Sequence, residues 1–277
     1  MKITKTKKEL QGILSGKSVG FVPTMGALHD GHLDLVRASK AHGLYTAVSI
    51  FVNPAQFNDS IDFEKYPVNH ERDLTRLCEV DCDVVIIPTV DEVYPNGMKQ
   101  MEYRHDFGSI ALDYEGAYRL GHFEGVGRVV HTLFDMVKPQ VAFFGEKDYQ
   151  QLAVVKKLVE ITGQDIEIVG VPTKREKSGL AMSSRNERLS PDQMKKAVKI
   201  YESLKWTKEV FLEISNEEIL ATIKDRFRED SEWSLEYFDL IDPKSFKPIG
   251  FSKPSNIRAV IAAKLGEIRL LDNLKIV

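Results

Sequence analysis

Two hydrophobic patterns alternate along the first two-thirds of the chain. Short runs that are apolar throughout, such as SVGFVP and QVAFFG, alternate with longer stretches such as GHLDLVRASKAHG, in which apolar residues recur at helical spacing. Strands that are apolar on both faces are typical of a parallel sheet with helices on both sides. The pattern therefore predicts an α/β fold, a Rossmann-like doubly wound parallel sheet.

The pattern changes after Thr173. The polar segment KREKSGLAMSSRNERLS is followed by two helical stretches and by the strand-like EYFDLID and RAVIAAKLGEIRLLD. We expect Ser190 as N-cap, with Pro191 in the first turn, to begin the first helix. The chain is therefore predicted to divide into residues 1–173, a Rossmann-like domain, and residues 174–277, a smaller α+β domain that acts as a lid.

Composition narrows the classes of function. A chain of 277 residues with 43% hydrophobic content can build a proper core, and a formal charge of -3 argues against a dedicated nucleic-acid surface. No stretch reaches the ~20 apolar residues of a spanning helix, and the lysine-rich start lacks the apolar run of a signal peptide. We therefore expect a cytoplasmic protein without a membrane partner.

Cys78 and Cys82 lie four apart in a predicted helix, and we expect them to be unpaired thiols.

The first candidate site lies in TMGALHDGH, where the first apolar strand of the alternating pattern ends and a helix begins. In doubly wound sheets, ligands bind beyond the carboxyl ends of the strands. The free N–H groups of the first helical turn and the helix dipole suit a phosphate, and His29 and His32 could donate hydrogen bonds to it. Two alternatives stay open on this stretch alone: surface polar residues at a turn, or metal ligands.

A second candidate is FFGEKDYQQL, at the end of a later strand. Lys147 would place a point positive charge at the sheet edge, which suits phosphate oxygens. Asp148 could cap the next helix or bind ribose hydroxyls. Gln151 could be an ordinary exposed helix residue or could face the same site.

Two further loops add to these candidates. Ser183, Ser184 and Arg185 offer hydroxyl and guanidinium donors that can wrap a polyphosphate, although a solvated linker is the alternative. Asn53 and Gln56 directly follow a strand, and their uncharged amides can orient hydroxyls or a carboxylate. A parallel sheet would bring these loops together.

Common signatures of other enzymes are missing. The sequence has no G-x-x-x-x-G-K-[ST] loop and no G-x-G-x-x-G after its first strand. A G-x-S-x-G nucleophile motif is also missing, which weakens a hydrolase interpretation.

Six motifs occur together in one order: VPTMGALHDGH, FVNPAQF, GHFEGV, FFGEKDYQQL, GLAMSSRN and RLLDN. Together they resemble the pantoate–beta-alanine ligase (pantothenate synthetase) family over nearly the whole chain. The H-x-G-H element alone indicates only the wider nucleotidyltransferase superfamily. The resemblance implies ligation of pantoate and beta-alanine with ATP and Mg²⁺, through an enzyme-bound pantoyl adenylate, with release of pyrophosphate and AMP. It also implies a homodimer.

The resemblance also implies roles for individual residues. The catalytic set comprises His29, His32, Lys147, Ser183, Ser184 and Arg185. The ATP-binding set comprises Pro23, Thr24, Met25, His32, Gly145, Lys147, Asp148, Met182, Ser183, Ser184 and Arg185. Pantoate would meet Met25, Gln56 and Gln151, and the region of the second substrate would include Asn53, Tyr66, Arg119 and His122. Asp73 matches a position associated with the metal.

Two loops depart from the family pattern. Leu120 replaces an expected Pro before His122, and FNDSIDF lacks the Gly and the acidic residue usual after its first Phe. Two other functions remain as alternatives: a nucleotidyltransferase that keeps the nucleotide on its product, and a nucleotide-binding regulatory module without catalysis. Gln56 and Gln151, with SSR in place of a Lys-rich closing motif, favour activation of an acid over the first alternative. The intact HDGH, Lys147 and Ser183–Arg185 elements argue against the second.

Overall fold

Six parallel strands form the main sheet, which confirms the doubly wound fold expected from the apolar runs. The computed structural model describes residues 1–57, 63–97, 105–250 and 254–277. The strands follow the order β1-β4-β3-β2-β5-β6 across the sheet. Their bounds are β1 Lys2–Thr4, β2 Val19–Thr24, β3 Tyr45–Ile50, β4 Val84–Ile86, β5 Val141–Gly145 and β6 Glu167–Val171.

Helices cover both faces of this sheet. Within β2, Phe21 packs into the core on one face and its neighbour Val22 packs into the core on the other. Because successive side chains of a strand point to opposite faces, a strand covered on both sides must be apolar throughout. The helices of this part are α1 Lys7–Leu14, α2 Asp30–Ala41, α3 His70–Cys78, α4 Val90–Val93, α5 Glu115–Tyr118, α6 His122–Val137 and α7 Tyr149–Thr162.

The strand order reverses between β2 and β5, which are paired neighbours in the sheet. The helix after β2, α2, packs into the core that contains Val22, whereas the helix after β5, α7, packs into the core that contains Phe21. The two connections therefore leave the sheet on opposite faces and open a crevice between them. Such a crevice is where open α/β sheets bind ligands.

The C-terminal part has its own sheet and its own core. Three antiparallel strands, in the order β7-β8-β9, pack with helices around residues such as Leu204, Ile223 and Ile261. The stretch RAVIAAKLGEIRLLD folds as the hairpin β8–β9, with Gly266 in its turn at φ 58°. The elements are α8 Pro191–Ala197, α9 Lys199–Val210, α10 Asn216–Arg228, β7 Trp233–Ile241, β8 Arg258–Leu265 and β9 Ile268–Lys275.

Two local predictions can be compared with these elements. Ser190 caps α8 and exchanges hydrogen bonds with Gln193, so the predicted helix start is confirmed. Between residue 174 and β7 the chain forms three α-helices, α8 to α10, rather than the two expected.

The cysteines differ from the prediction in one respect. The prediction that Cys78 and Cys82 share a helix was wrong, because α3 ends at Cys78 and Cys82 lies beyond it. Both thiols are free, and burial raises the pKa of Cys82 to about 12. Within the described ranges, no helix is long and apolar enough to cross a membrane.

Candidate active site

The two histidines of HDGH cap the helix that follows them. His29 is the N-cap of α2, and its Nδ1 accepts a hydrogen bond from the backbone N–H of Gly31 at 3.2 Å. The Nδ1 of His32 accepts from the backbone N–H of His29 at 3.3 Å, and the two ring centroids lie 4.0 Å apart. Because an accepting Nδ1 carries no proton, each neutral ring carries its proton on Nε2.

Burial keeps both rings uncharged. Burial, followed by the charges of His32 and Lys147, lowers the pKa of His29 to about 2. Burial also lowers the pKa of His32 to about 4, against an opposing effect of the Asp148 carboxylate. At neutral pH both rings are therefore hydrogen-bond donors through Nε2 and carry no charge.

Gly31 leaves room for the His29 ring. A Cβ at Gly31 would lie 2.9 Å from Cε1 and 3.0 Å from Nδ1 of that ring. The backbone of Gly31 is helical, so the glycine is required by this close approach rather than by a left-handed turn.

Asp73 supports the loop between β2 and α2. Its fully buried carboxylate accepts hydrogen bonds from the backbone N–H groups of Ala27 at 3.0 Å and Leu28 at 2.7 Å. Ala27 has a left-handed backbone at φ 50°, a strained conformation that these bonds hold in place. Asp73 therefore fixes the backbone of the two residues directly before His29.

This geometry does not favour metal ligation by Asp73. Its two oxygens are committed to the backbone, and the described residues that line the cavity do not include it. Over the described part of the chain, no group of three or more His, Cys, Asp or Glu side chains could hold a metal ion. The structure likewise gives no support to the metal alternative for His29 and His32.

Lys147 lies on a short turn between β5 and α7. Its side chain is mostly buried, and its Nζ lies 3.6 Å from Oδ1 of Asp148. Asp148 is the residue before α7, yet its side chain makes no capping hydrogen bond. The capping alternative for Asp148 is therefore wrong, and its half-exposed carboxylate faces the cavity together with Lys147.

The segment that carries Ser183, Ser184 and Arg185 is a 3₁₀ helix, Ser184–Arg188, rather than an irregular linker. The Ser183 hydroxyl accepts a hydrogen bond from the backbone N–H of Arg185 at 3.3 Å. The Ser184 hydroxyl is buried, 3.5 Å from the Tyr66 hydroxyl.

Gln56 is oriented by a buried asparagine. The Asn53 Nδ2 donates to Oε1 of Gln56 at 3.2 Å, while Oδ1 of Asn53 accepts from the Tyr94 hydroxyl at 2.7 Å. The Gln56 Nε2 lies 2.8 Å from the Met25 sulfur. Asn53 is fully buried, and its hydrogen bond to Oε1 orients the amide of Gln56.

Arg119 and His122 form the next part of the wall. The Arg119 guanidinium donates to Nε2 of His122 at 3.0 Å, so Nδ1 of this ring carries the proton and donates to the Gln56 carbonyl at 2.9 Å. Burial, followed by the charge of Arg119, lowers the pKa of His122 to about 4. This ring is therefore also neutral at pH 7.

A cavity of about 240 Å³ lies in the crevice between these elements. Every site residue predicted from the sequence lines it except Asp73. They are Pro23, Thr24, Met25, His29, His32, Asn53, Gln56, Tyr66, Arg119, His122, Gly145, Lys147, Asp148, Gln151, Met182, Ser183, Ser184 and Arg185.

Sequence reasoning missed lining residues contributed by long-range contacts. Glu115 lines the cavity and binds Arg269 and Tyr237 of the C-terminal sheet. Asn273, in β9, also reaches the cavity wall. The only signal for Asn273 was its place at the end of the RLLDN motif, and nothing marked Glu115.

Leu120 and the FNDSIDF stretch are the two places where the loops depart from the family pattern. Leu120 is 78% exposed and is not among the described residues that line the cavity. Most of FNDSIDF, residues 58–62, lies outside the described residues. Phe57, at its start, does line the cavity.

Comparison with known proteins gives one consistent family. The model of the family described as pantoate-beta-alanine ligase matches residues 2–275. The pantothenate synthetase of Christiangramia forsetii is 46% identical over 94% of this chain and 92% of its own. A crystal structure of pantothenate synthetase from Thermus thermophilus has a TM-score of 0.94 at 41% identity, covering 100% of this chain and 99% of that one.

A ligand-bound structure also matches. It is the pantoate-beta-alanine ligase of Francisella tularensis, described as complexed with beta-gamma ATP and beta-alanine. Its TM-score is 0.79 at 34% identity, covering 99% of this chain and 97% of that one. With the family model, the full-length relatives and the shared fold in agreement, the chain belongs to the pantoate–beta-alanine ligase family.

Proposed function

We propose that this ligase joins pantoate and beta-alanine through an enzyme-bound pantoyl adenylate. In the first step a carboxylate oxygen of pantoate attacks the α-phosphorus of ATP, and the bond from that phosphorus to the bridging oxygen breaks to release pyrophosphate. In the second step the amine of beta-alanine attacks the acyl carbon, AMP leaves with the former carboxylate oxygen, and the amine loses a proton. No covalent bond to the protein is needed.

The observation that carries this proposal is the pair of neutral imidazoles at the start of α2. With both Nδ1 atoms occupied by backbone N–H groups, His29 and His32 can only donate, through Nε2. Fixed donors stabilise the charge that builds on phosphate oxygens as the bond to pyrophosphate breaks. The helix dipole acts in the same direction.

Lys147 and the Ser183–Arg185 segment supply the remaining phosphate contacts in this proposal. Lys147 provides a positive charge from the loop after β5, and Ser183, Ser184 and Arg185 provide donors from the 3₁₀ segment that lines the same cavity. We assign Gly145 and Asp148 to the ribose, because the Asp148 carboxylate is not used to cap α7. Pro23, Thr24 and Met182 complete the nucleotide wall.

Gln56 and Gln151 are assigned to pantoate. An amide can orient a carboxylate without neutralising its charge, so the oxygen keeps its nucleophilicity. The hydrogen bond from Asn53 holds the Gln56 amide in place, and the Gln56 Nε2 donates to the Met25 sulfur. Asn53, Tyr66, Arg119 and His122 are assigned to the second-substrate region.

Mg²⁺ is proposed to enter bound to ATP, as part of the substrate. The described residues offer no cluster of carboxylates that could hold the ion by themselves. Mg²⁺ commonly keeps several waters and binds substrate phosphates in such sites, so a cage of protein ligands is not required. The cytoplasmic location stays a prediction from the sequence, and the homodimer stays an implication of the family resemblance.

The test is exchange of labelled pyrophosphate into ATP without beta-alanine. Because adenylation is reversible, we expect exchange that depends on pantoate. Exchange at the same rate without pantoate, or ATP binding without any exchange, would contradict the acyl-adenylate route. A nucleotidyltransferase would instead release a product that retains the nucleotide, which chromatography of the complete reaction would reveal.

A further inference from the structure

Asn273, at the end of the RLLDN motif, contacts the backbone of the loop that carries Lys147. Its Nδ2 donates to the carbonyl oxygen of Glu146 at 2.9 Å and to that of Lys147 at 2.8 Å. The side chain is buried, and 126 residues separate it from Lys147 along the chain. One amide group of the C-terminal sheet thus holds two successive peptide units of the phosphate-site loop.

The orientation of this amide is fixed from its other end. The Asn273 Oδ1 accepts a hydrogen bond from the guanidinium of Arg258, which has only donors to offer. Arg258 itself lies 3.6 Å from the centre of the Tyr149 ring and 3.4 Å from the carboxylate of Glu146. Nδ2 must therefore face the carbonyl oxygens, and a carboxylate in its place could not donate to them.

The preceding residue, Asp272, holds the other wall of the site. Its carboxylate binds the guanidinium of Arg175 through two contacts, at 2.5 and 3.0 Å. Arg175 also donates to the Gly179 carbonyl at 3.1 Å. The loop from Lys174 to Met182 is joined at its ends by a hydrogen bond from the Met182 N–H to the Lys174 carbonyl. Ser183 follows directly after this loop.

We propose that Asp272 and Asn273 are positioning residues that set the distance between Lys147 and the Ser183–Arg185 segment. Asn273 holds the Lys147 loop directly, and Asp272, the residue before it in β9, holds Arg175 at the base of the segment that leads to Ser183. A shift of either segment relative to β9 would therefore break hydrogen bonds to one of these two residues. This inference rests on the proposed function, in which both segments bind the triphosphate. A displacement of about 1 Å at such a site can lower a rate by about 100-fold.

The first test is Asn273→Asp, which keeps the shape and the contact to Arg258 but removes both donors. We expect the maximal rate of pantoate-dependent pyrophosphate exchange to fall by about 10- to 100-fold. The KM for pantoate should stay within about twofold of the wild-type value, because Gln56 and Asn53 hold each other without contact to this strand. Because a loss of folded enzyme would also lower the maximal rate at an unchanged KM, the rate is expressed per mole of folded protein, measured by circular dichroism of the same sample.

Asn216→Ala provides the matched control. Asn216 is also buried, its side chain also donates to a backbone carbonyl, that of Gly250, and it does not line the cavity. We expect this variant to lower the melting temperature without lowering the maximal exchange rate. If Asn273→Asp lost no more rate than Asn216→Ala at equal loss of stability, the positioning role would be overturned.

A second variant, Arg175→Lys, tests the other wall. Lysine keeps the charge opposite Asp272 but loses the two-pronged contact and the bond to Gly179. We expect the same split, a lower maximal rate with an unchanged KM for pantoate.

Exchange by the wild type must first depend on pantoate; if it does not, the proposed function fails. If the wild type does exchange but both variants retain its rate within about twofold, only the positioning role fails.

Discussion

At the scale of single residues, the contacts of His29 and His32 determine how the site responds to acid. Both folded pKa values, about 2 and about 4, lie below the value near 6.5 of an unfolded histidine. As pH falls from 6.5 towards 4, the unfolded chain binds protons that the folded rings do not. The free energy of unfolding must therefore fall in this range and is fully retained only above it.

We predict that both rings stay in the neutral form with the proton on Nε2 from pH 7 to pH 5. Nitrogen NMR of the histidine rings reports this form directly. Between these pH values each ring should lower the free energy of unfolding by about 1 to 2 kcal/mol. Replacing both with Asn should remove that part of the pH dependence in urea unfolding. A ring that became protonated near pH 6.5 in the folded protein would contradict the prediction.

Among single residues, the sequence predicted some members of the site but not the contacts that hold them. It placed His29, His32 and Lys147 in one site, because each follows a strand whose apolar pattern was clear. It could not show that Gly31 leaves space for the His29 ring, since that requirement is a 2.9 Å contact rather than a pattern. The same limit applies to Asp73, whose backbone partners lie 45 and 46 residues away.

At the scale of elements, α3 acts as a support for the loop between β2 and α2. Asp73 of α3 accepts from two successive N–H groups of that loop, and Arg76 of the same helix donates to the Leu28 carbonyl at 3.1 Å. Three hydrogen bonds from one helix thus fix the residues directly before His29.

We predict that Asp73→Asn weakens this support. One acceptor oxygen is replaced by an NH₂ group that faces a backbone N–H, and the charge that strengthens both bonds is lost. The free energy of unfolding should fall by about 2 to 3 kcal/mol, and the exchange rate should fall with it. The Mg²⁺ concentration that gives half-maximal exchange should stay the same.

The matched control is Asp83→Asn. Asp83 also accepts from a backbone N–H, that of Thr46 at 2.7 Å, but at the start of β3 and away from the cavity. This variant should lose stability while keeping the exchange rate. A marked rise in the Mg²⁺ requirement of Asp73→Asn alone would return Asp73 to the role of metal ligand.

At the scale of the whole molecule, Glu115 connects the short helix α5 to the C-terminal sheet. The Arg269 guanidinium donates to its carboxylate at 2.5 and 2.7 Å, and the Tyr237 hydroxyl donates at 2.7 Å. Burial raises the pKa of Glu115, but the bonds and charge of Arg269 outweigh this and bring it to about 2. The stabilisation is therefore present above an unfolded pKa of about 4.5 and is lost as pH falls from there towards 2.

We predict that Glu115→Gln lowers the free energy of unfolding at pH 7 by about 1 to 3 kcal/mol. The difference from wild type should shrink below pH 4.5, where the wild-type chain also loses this stabilisation. Urea unfolding at pH 7 and pH 4 measures both values. Asp225→Asn, which breaks the exposed pair with Arg228, should change stability by at most about 0.5 kcal/mol. A constant difference at both pH values would exclude the ionised carboxylate as its source.

The arrangement of the two sheets was the part of the fold that the sequence predicted least. The alternation of apolar runs predicts the doubly wound parallel sheet, and Ser190 with Pro191 predicts the start of α8. The docking of the C-terminal sheet depends on single side chains such as Glu115 and Asn273, which meet partners more than a hundred residues away. Such contacts have no periodicity, so only the structure reveals them. The exact boundary at residue 173 stays a prediction.

The pairing of β2 with β5 has a consequence for how the protein acquires activity. Gly20 of β2 pairs with Val141 of β5, 121 residues further along the chain, so these strands meet only after a long loop has closed. Contacts of such sequence separation form slowly compared with helices. We therefore expect His29 and Lys147 to come together late in folding, so that a chain with its full helix content can still lack a working site. Activity, more than helix content, reports that folding is complete.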